Sequence, residues 1–169
     1  MCVDGEMVRS WRPLYIFNVH FAVDLTITAD NVIEVYDSGE PLIRNGNWQI
    51  ANTVRLENAC VLAVKAIDSG GDWYGILAST STGVVTDETW KCSAHEEHGW
   101  DLSGFDDSAW SAARVIGSHG MYPWNDFVSI NPLAKWIWAE GSDGGTVYCR
   151  KTLCWFAAPA HGWRHWQIC

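Results

Sequence analysis

The sequence predicts an all-β, antiparallel β-sandwich, and three observations carry that expectation. Short runs rich in Val, Ile and aromatic residues alternate at period two, Gly, Asp, Asn or Pro bound them, and no stretch shows a long helical period. The clearest run comes first. Phe21, Val23, Leu25 and Ile27 fall on one side and Asp24, Thr26 and Thr28 on the other, as in a strand with one buried face. Runs of the same kind follow at Ile33–Tyr36, Asn52–Leu56, Val61–Ile67, Gly75–Ser79, Lys135–Ala139 and Thr146–Leu153. Many short strands with turn punctuation pack most readily as two stacked sheets. One small helix at most is expected, over Phe105–Ala113, where Asp107 or Ser108 would cap a turn carrying Trp110 and Ala113. Ser93 to Pro132 is weakly patterned and reads as long loops packed by their own Trp and Pro residues.

With 169 residues, one domain spanning 1–169 is expected, with 154–169 docked on it as a C-terminal tail because that segment carries three Trp residues. Hydrophobic residues make up 48% and charged residues 18%, the balance of a globular chain, and no apolar run approaches a membrane span. A net charge of -9 with only 11 Lys and Arg leaves no basic stripe for phosphates. Nucleic acid and membrane insertion are therefore not expected. Six cysteines beside twelve Trp argue for an oxidising compartment, hence a secreted, extracellular protein. No basic and apolar leader precedes Cys2, so the sequence reads as a mature form, and it contains no Asn-x-Ser/Thr sequon.

Two turn tracts place oxygen ligands beside aromatic rings. Thr28-Ala29-Asp30-Asn31 leads into the strand at Ile33, and Gly70-Gly71-Asp72-Trp73-Tyr74-Gly75 precedes another. Hard oxygens next to a flat apolar face are what holding a sugar requires. Asp30, Asn31 and Asp72 are the expected calcium ligands, with Trp73 or Tyr74 as a stacking platform and Trp48 as a second candidate. For Asp30 and Asn31 the bland alternative is a turn in which both side chains only cap backbone N–H groups. For Trp73 and Tyr74 it is packing.

The ordered series Ala29-Asp30-Asn31, Asn47-Trp48, Asn58 to Ala66, Gly75-Ile76-Leu77-Ala78, Thr86 to Lys91, Gly99-Trp100, Phe105 to Trp110, Pro123-Trp124, Ala134 to Trp138 and Tyr148 to Lys151 resembles the rhamnose-binding carbohydrate-binding module attached to α-L-rhamnosidases. It is similar also to galactose-binding-like domains of marine invertebrates. The resemblance implies a galactose-binding-like jelly roll and a calcium ion held partly by Asp30 and Asn31, with sugar hydroxyls completing its shell. It also implies core positions for Trp90, Trp110, Trp136 and Trp138, and a first disulfide pairing of Cys92 with Cys149. The remaining four cysteines allow three pairings, one of which would link two chains. The stretch Asp72-Trp73-Tyr74 is longer and more aromatic than the small-residue pattern of the module.

The expected function is accordingly a calcium-dependent lectin for galactose-containing glycans. Galactose has an O3/O4 cis pair able to chelate and a ring face suited to an indole. A homodimer would raise its avidity. Rhamnose or another deoxy sugar is the alternative ligand, and a structural matrix domain without a sugar site is the alternative class. Catalysis is not expected. Glu96-Glu97 and Asp106-Asp107 are adjacent pairs, whereas glycoside hydrolysis needs two carboxyls converging across one bond. Cys92-x-x-His95-x-x-His98 and the His161, His165, Cys169 group match no strong zinc spacing.

Overall fold

The computed structural model describes residues 22–57, 60–124 and 126–153. Two antiparallel sheets are stacked. The first contains β4 (Asn52–Leu56), β1 (Val23–Asp30), β6 (Gly75–Thr80), β10 (Lys135–Trp138) and β9 (Arg114–Ser118), in that spatial order. The second runs β3 (Glu40–Asn45), β2 (Val32–Asp37), β5 (Val61–Ile67), β11 (Thr146–Thr152), β7 (Lys91–Ser93) and β8 (Ser111–Ala112). The all-β expectation holds, with strand bounds within a residue or two of the expected ones over most of the chain.

Period-two alternation explains the layering. Val23, Leu25, Ile27 and Ala29 of β1 face Ile33 and Val35 of β2 and Leu62, Val64 and Ala66 of β5 in the buried layer between the sheets. The side chains pointing the other way are covered as well. Outside the five-stranded sheet, Leu77 and Trp136 lie under Trp124, Phe127 and Ile130. Outside the six-stranded sheet, Val61, Ala63 and Tyr148 lie under Trp100 and Trp110. The molecule therefore buries three apolar layers, and the long connections between Ser93 and Pro132 supply the two outer ones. Trp90, Trp110, Trp136 and Trp138 are all buried, as the sequence leads one to expect.

Cys92 and Cys149 form a disulfide between directly opposed residues of β7 and β11. Three features depart from expectation. Phe105–Ala113 is not helical: Asp106 accepts from the Ser108 N–H at 3.0 Å, but the Asp107 carboxylate is drawn to Arg150, also at 3.0 Å, and the chain turns directly into β8. Strands β3 and β9, both sheet edges, were not expected, because unlike the edge strand β4 neither carries a regular period-two alternation. Pro41 in β3 is tolerated because that strand is an edge. Phe21, Asn58, Cys2, Cys154, Cys169, His161, His165 and the 154–169 tail lie outside the described residues.

Candidate functional site

Asp30 ends β1 on the side of the strand that faces away from the central layer, and Asn31 alone separates β1 from β2. The peptide between them is cis. Period two thus puts Thr28 and Asp30 in line on the outer face, while Ala29 belongs to the core. Thr28 donates its hydroxyl to the Trp48 carbonyl at 2.7 Å, which ties the segment before β4 to this face. Gly75 pairs with Asp30 across the ladder, and a Cβ there would meet the Trp136 ring at 2.8 Å. A side chain at 75 would push the indole layer off the strand.

The Asp30 side chain is only 6% exposed. One carboxylate oxygen accepts from the Trp124 indole N–H at 2.9 Å and the other from the Asn31 amide at 2.6 Å. The Asn31 amide oxygen accepts in turn from the Ser69 N–H at 2.8 Å, closing the turn after β5 onto the same corner. Burial pushes the Asp30 carboxyl up from its ordinary value; the Trp124 bond pulls it down, and the charge of Asp68 raises it further. Asp68 itself accepts from the Gly70 N–H at 3.0 Å. Its other oxygen lies 2.5 Å from where a Cβ of Gly144 would stand, so a glycine at φ +100° leaves it room. Two carboxylates and one amide oxygen therefore share this corner. Asp72 is exposed in the following loop, and it is Asp68 whose charge acts on Asp30.

The aromatic candidates separate clearly. Tyr74 is built into the fold: its ring packs on Trp138 at 5.3 Å, its hydroxyl donates to Asp143 at 3.0 Å, and Arg114 donates to that same hydroxyl. These donors hold the Asp143 carboxyl below its ordinary value. Trp48 is half-buried against the outer indole layer. Trp73 keeps 36% of its surface exposed and meets Trp124 edge-on at 5.6 Å. Sequence reasoning missed Trp124 as a site residue. It lies 94 positions from the Asp30 it bonds, and no local spacing connects them. The Pro123-Trp124 pair in a weakly patterned loop was the one available signal.

The acidic pairs weighed for catalysis are held by other partners. Glu96 accepts from the Tyr148 hydroxyl at 2.8 Å and Glu97 from the Trp110 indole at 2.6 Å, while Asp106 and Asp107 are engaged as described above. Cys92 is in its disulfide, so the Cys92, His95, His98 group offers no thiolate. A shallow groove along β2 and β3 is lined by Glu34, Tyr36, Pro41, Leu42, Ile43 and Arg44. Its central carboxylate is already met by the Tyr36 hydroxyl at 2.9 Å, Arg44 at 3.3 Å and Lys65 at 3.7 Å.

Two antiparallel sheets with a polar corner at one end and indoles around it define an all-β sandwich. The chain is homologous to a segment of an α-L-rhamnosidase from Streptomyces avermitilis, with 32% identity over 131 residues, a match covering 66% of this chain and 13% of that protein. The crystal structure of Streptomyces avermitilis α-L-rhamnosidase complexed with L-rhamnose shares the fold. Its TM-score is 0.56 at 17% identity, over 79% of this chain and 20% of that one. This chain thus matches a small part of each relative's length. No family model matches the sequence.

Proposed function

We propose that this domain is a non-catalytic carbohydrate-binding module that takes L-rhamnose or a related deoxy sugar at the Asp30–Asn31 corner. The observation that carries the reading is a buried carboxylate held by the Trp124 indole and the Asn31 amide, with the partly exposed Trp73 against Trp124, in a chain homologous to part of a rhamnosidase. That relative favours the deoxy sugar over the galactose expected from ring geometry.

The residues fit a calcium ion. Among the described residues no group of three or more His, Cys, Asp or Glu side chains is placed to hold a metal. Calcium, however, takes amide and carbonyl oxygens as readily as carboxylates. Each Asp30 oxygen accepts one hydrogen bond and keeps a second lone pair. Asp30 would hold the ion, with Asp68 as the nearby second carboxylate; the Asn31 amide oxygen, which accepts from both the Ser69 N–H and the Ser69 hydroxyl, would join them by releasing that hydroxyl. A bound divalent ion offers open coordination positions to vicinal sugar hydroxyls and offsets the repulsion between Asp30 and Asp68. Trp73 supplies an apolar face beside it. Secretion is part of the same proposal, supported by the Cys92–Cys149 bond.

Calorimetric titration of the domain with L-rhamnose and with D-galactose, in calcium and in EDTA, tests the reading. Rhamnose should bind more tightly than galactose, and chelation or Asp30→Ala should abolish the heat. Binding that survives both treatments would place the sugar elsewhere, and absence of binding to either sugar would end the proposal.

A further inference from the structure

The Asp30 corner does not stop at Trp73. Tyr122, in the loop between β9 and β10, meets Trp73 edge-on at 5.7 Å with the two rings at 87°, and Tyr122 is 80% exposed. A continuous series of contacts therefore runs outward from the buried carboxylate: Asp30 to the Trp124 indole, Trp124 to Trp73, Trp73 to Tyr122. Exposure rises along it, from 1% at Trp124 through 36% at Trp73 to 80% at Tyr122. Val128 and Leu133 are also exposed, but neither is aromatic and scattered apolar side chains need no explanation. Tyr122 and Trp73 differ in forming a right-angled aromatic pair that is itself solvent-exposed.

Tyr122 is also presented rigidly. Its neighbour Trp124 is stacked on Trp136 at 4.1 Å and 21°, and Met121 packs against the same apolar layer. The loop continues into a bond from the Phe127 N–H to His119 at 3.1 Å. An exposed ring between half-buried Met121 and Pro123, and two residues from buried Trp124, gives up little conformational freedom on binding. That is the arrangement of a binding platform, and a ring needed only for packing would be covered.

Resting on the function proposed above, we infer that Trp73 and Tyr122 form a second subsite, and that the domain binds the next residue of a glycan or an aromatic aglycone stacked in this corner, beyond the terminal sugar at Asp30. The ligand class is a rhamnoside with a substituent and not the free monosaccharide alone. Trp124 is a positioning residue shared by both subsites, since its N–H fixes Asp30 and its ring edge supports Trp73.

Titration of the intact chain with free L-rhamnose and with a rhamnose-terminated disaccharide, using wild type, Tyr122→Ala, Tyr122→Phe and Asp30→Ala, reads this out. Wild type should bind the disaccharide about tenfold more tightly than the monosaccharide. Tyr122→Ala should lose about that tenfold on the disaccharide and leave the monosaccharide within twofold, a loss typical of truncating an aromatic anchor. Tyr122→Phe should restore it, because the ring is retained. Equal affinities of wild type for the two ligands, or unchanged disaccharide affinity in Tyr122→Ala, overturns the second subsite. Equal losses on both ligands overturn it too, by placing Tyr122 at the first sugar. Failure of Asp30→Ala to weaken the monosaccharide instead overturns the underlying sugar site, so the two failures are distinct. Near-ultraviolet circular dichroism of each variant shows that the fold is retained.

Discussion

The two outer layers of this sandwich use the same chemical pair, a carboxylate accepting from a buried indole, to opposite ends. Over the six-stranded sheet Glu97 takes the Trp110 N–H and Glu96 the Tyr148 hydroxyl, and both acids are exposed while the aromatics lie beneath them. Arg150, 1% exposed, locks that layer from below by bonding Asp107 and the carbonyls of Phe105 and Leu102. Over the five-stranded sheet the order is reversed: Asp30 is buried and the aromatic series opens toward solvent. An exposed acid over buried rings closes a loop onto a sheet. A buried acid whose buried indole partner leads outward to exposed rings is the arrangement on which the proposed sugar site rests.

The sharpest break of this contrast is Arg150→Ala. It strips a buried charge from beneath the closed layer and leaves Asp107 and two carbonyls without their donor. We expect a loss of about 3–5 kcal/mol in unfolding free energy, read by urea denaturation, with sugar affinity intact under conditions where the variant is folded. Retained stability would mean that the loop does not depend on its anchor.

Alkaline titration sharpens the same contrast. Burial, then the bonds to Glu96 and Glu34 respectively, pushes the Tyr148 and Tyr36 hydroxyls up to about 12 from an ordinary 10.0. A folded value above the unfolded one contributes stability that is whole below pH 10.0 and lost as pH rises toward about 12. Thermal melts across that window should fall in midpoint, and Tyr148→Phe should flatten the decline. Glu97→Ala comes next in size. It leaves the buried Trp110 N–H without its acceptor and should cost about 1 kcal/mol, seen as a small drop in urea midpoint.

The smallest stability change is expected at the open site. Asp30→Asn keeps an oxygen for the Trp124 N–H but turns an amide NH2 toward the Asn31 donor, and it removes a charge that burial and Asp68 both disfavour. Because the folded pKa is raised, ionised Asp30 costs stability as pH rises through that value. The lost charge and the facing amide donors oppose one another, so the variant should stay within about 1 kcal/mol of wild type at neutral pH and lose ground to it as pH falls. Calcium-dependent sugar binding should nonetheless be lost in calorimetry. Strong destabilisation of Asp30→Asn would make Asp30 a structural cap, as the turn-capping alternative holds.

Much of the frame was legible from residue order. Alternation in β1 and the near-continuous apolar run of β5 identified buried strands, since a strand covered on one or both faces must write that burial into its side chains. The Asp30–Asn31 turn was visible because an acid and an amide interrupt an apolar run. The edge strands β3 and β9 were not, because neither carries the alternation that marks the edge strand β4. The Phe105–Ala113 helix was misjudged because Arg150, distant in sequence, claims the Asp107 carboxylate expected to cap it.

The sequence by itself determined a two-sheet sandwich and two candidate turns, one at Asp30-Asn31 and one at Asp72. These follow from nearest-neighbour patterns that a local reading captures. Only the tertiary structure decided that Trp124 holds Asp30, that Asp68 is the carboxylate beside it, that Tyr74 is structural while Trp73 is open, and that Tyr122 stands next to Trp73. Those relations join turns at opposite ends of different strands, and it is the stacking order of the sheets that brings them together.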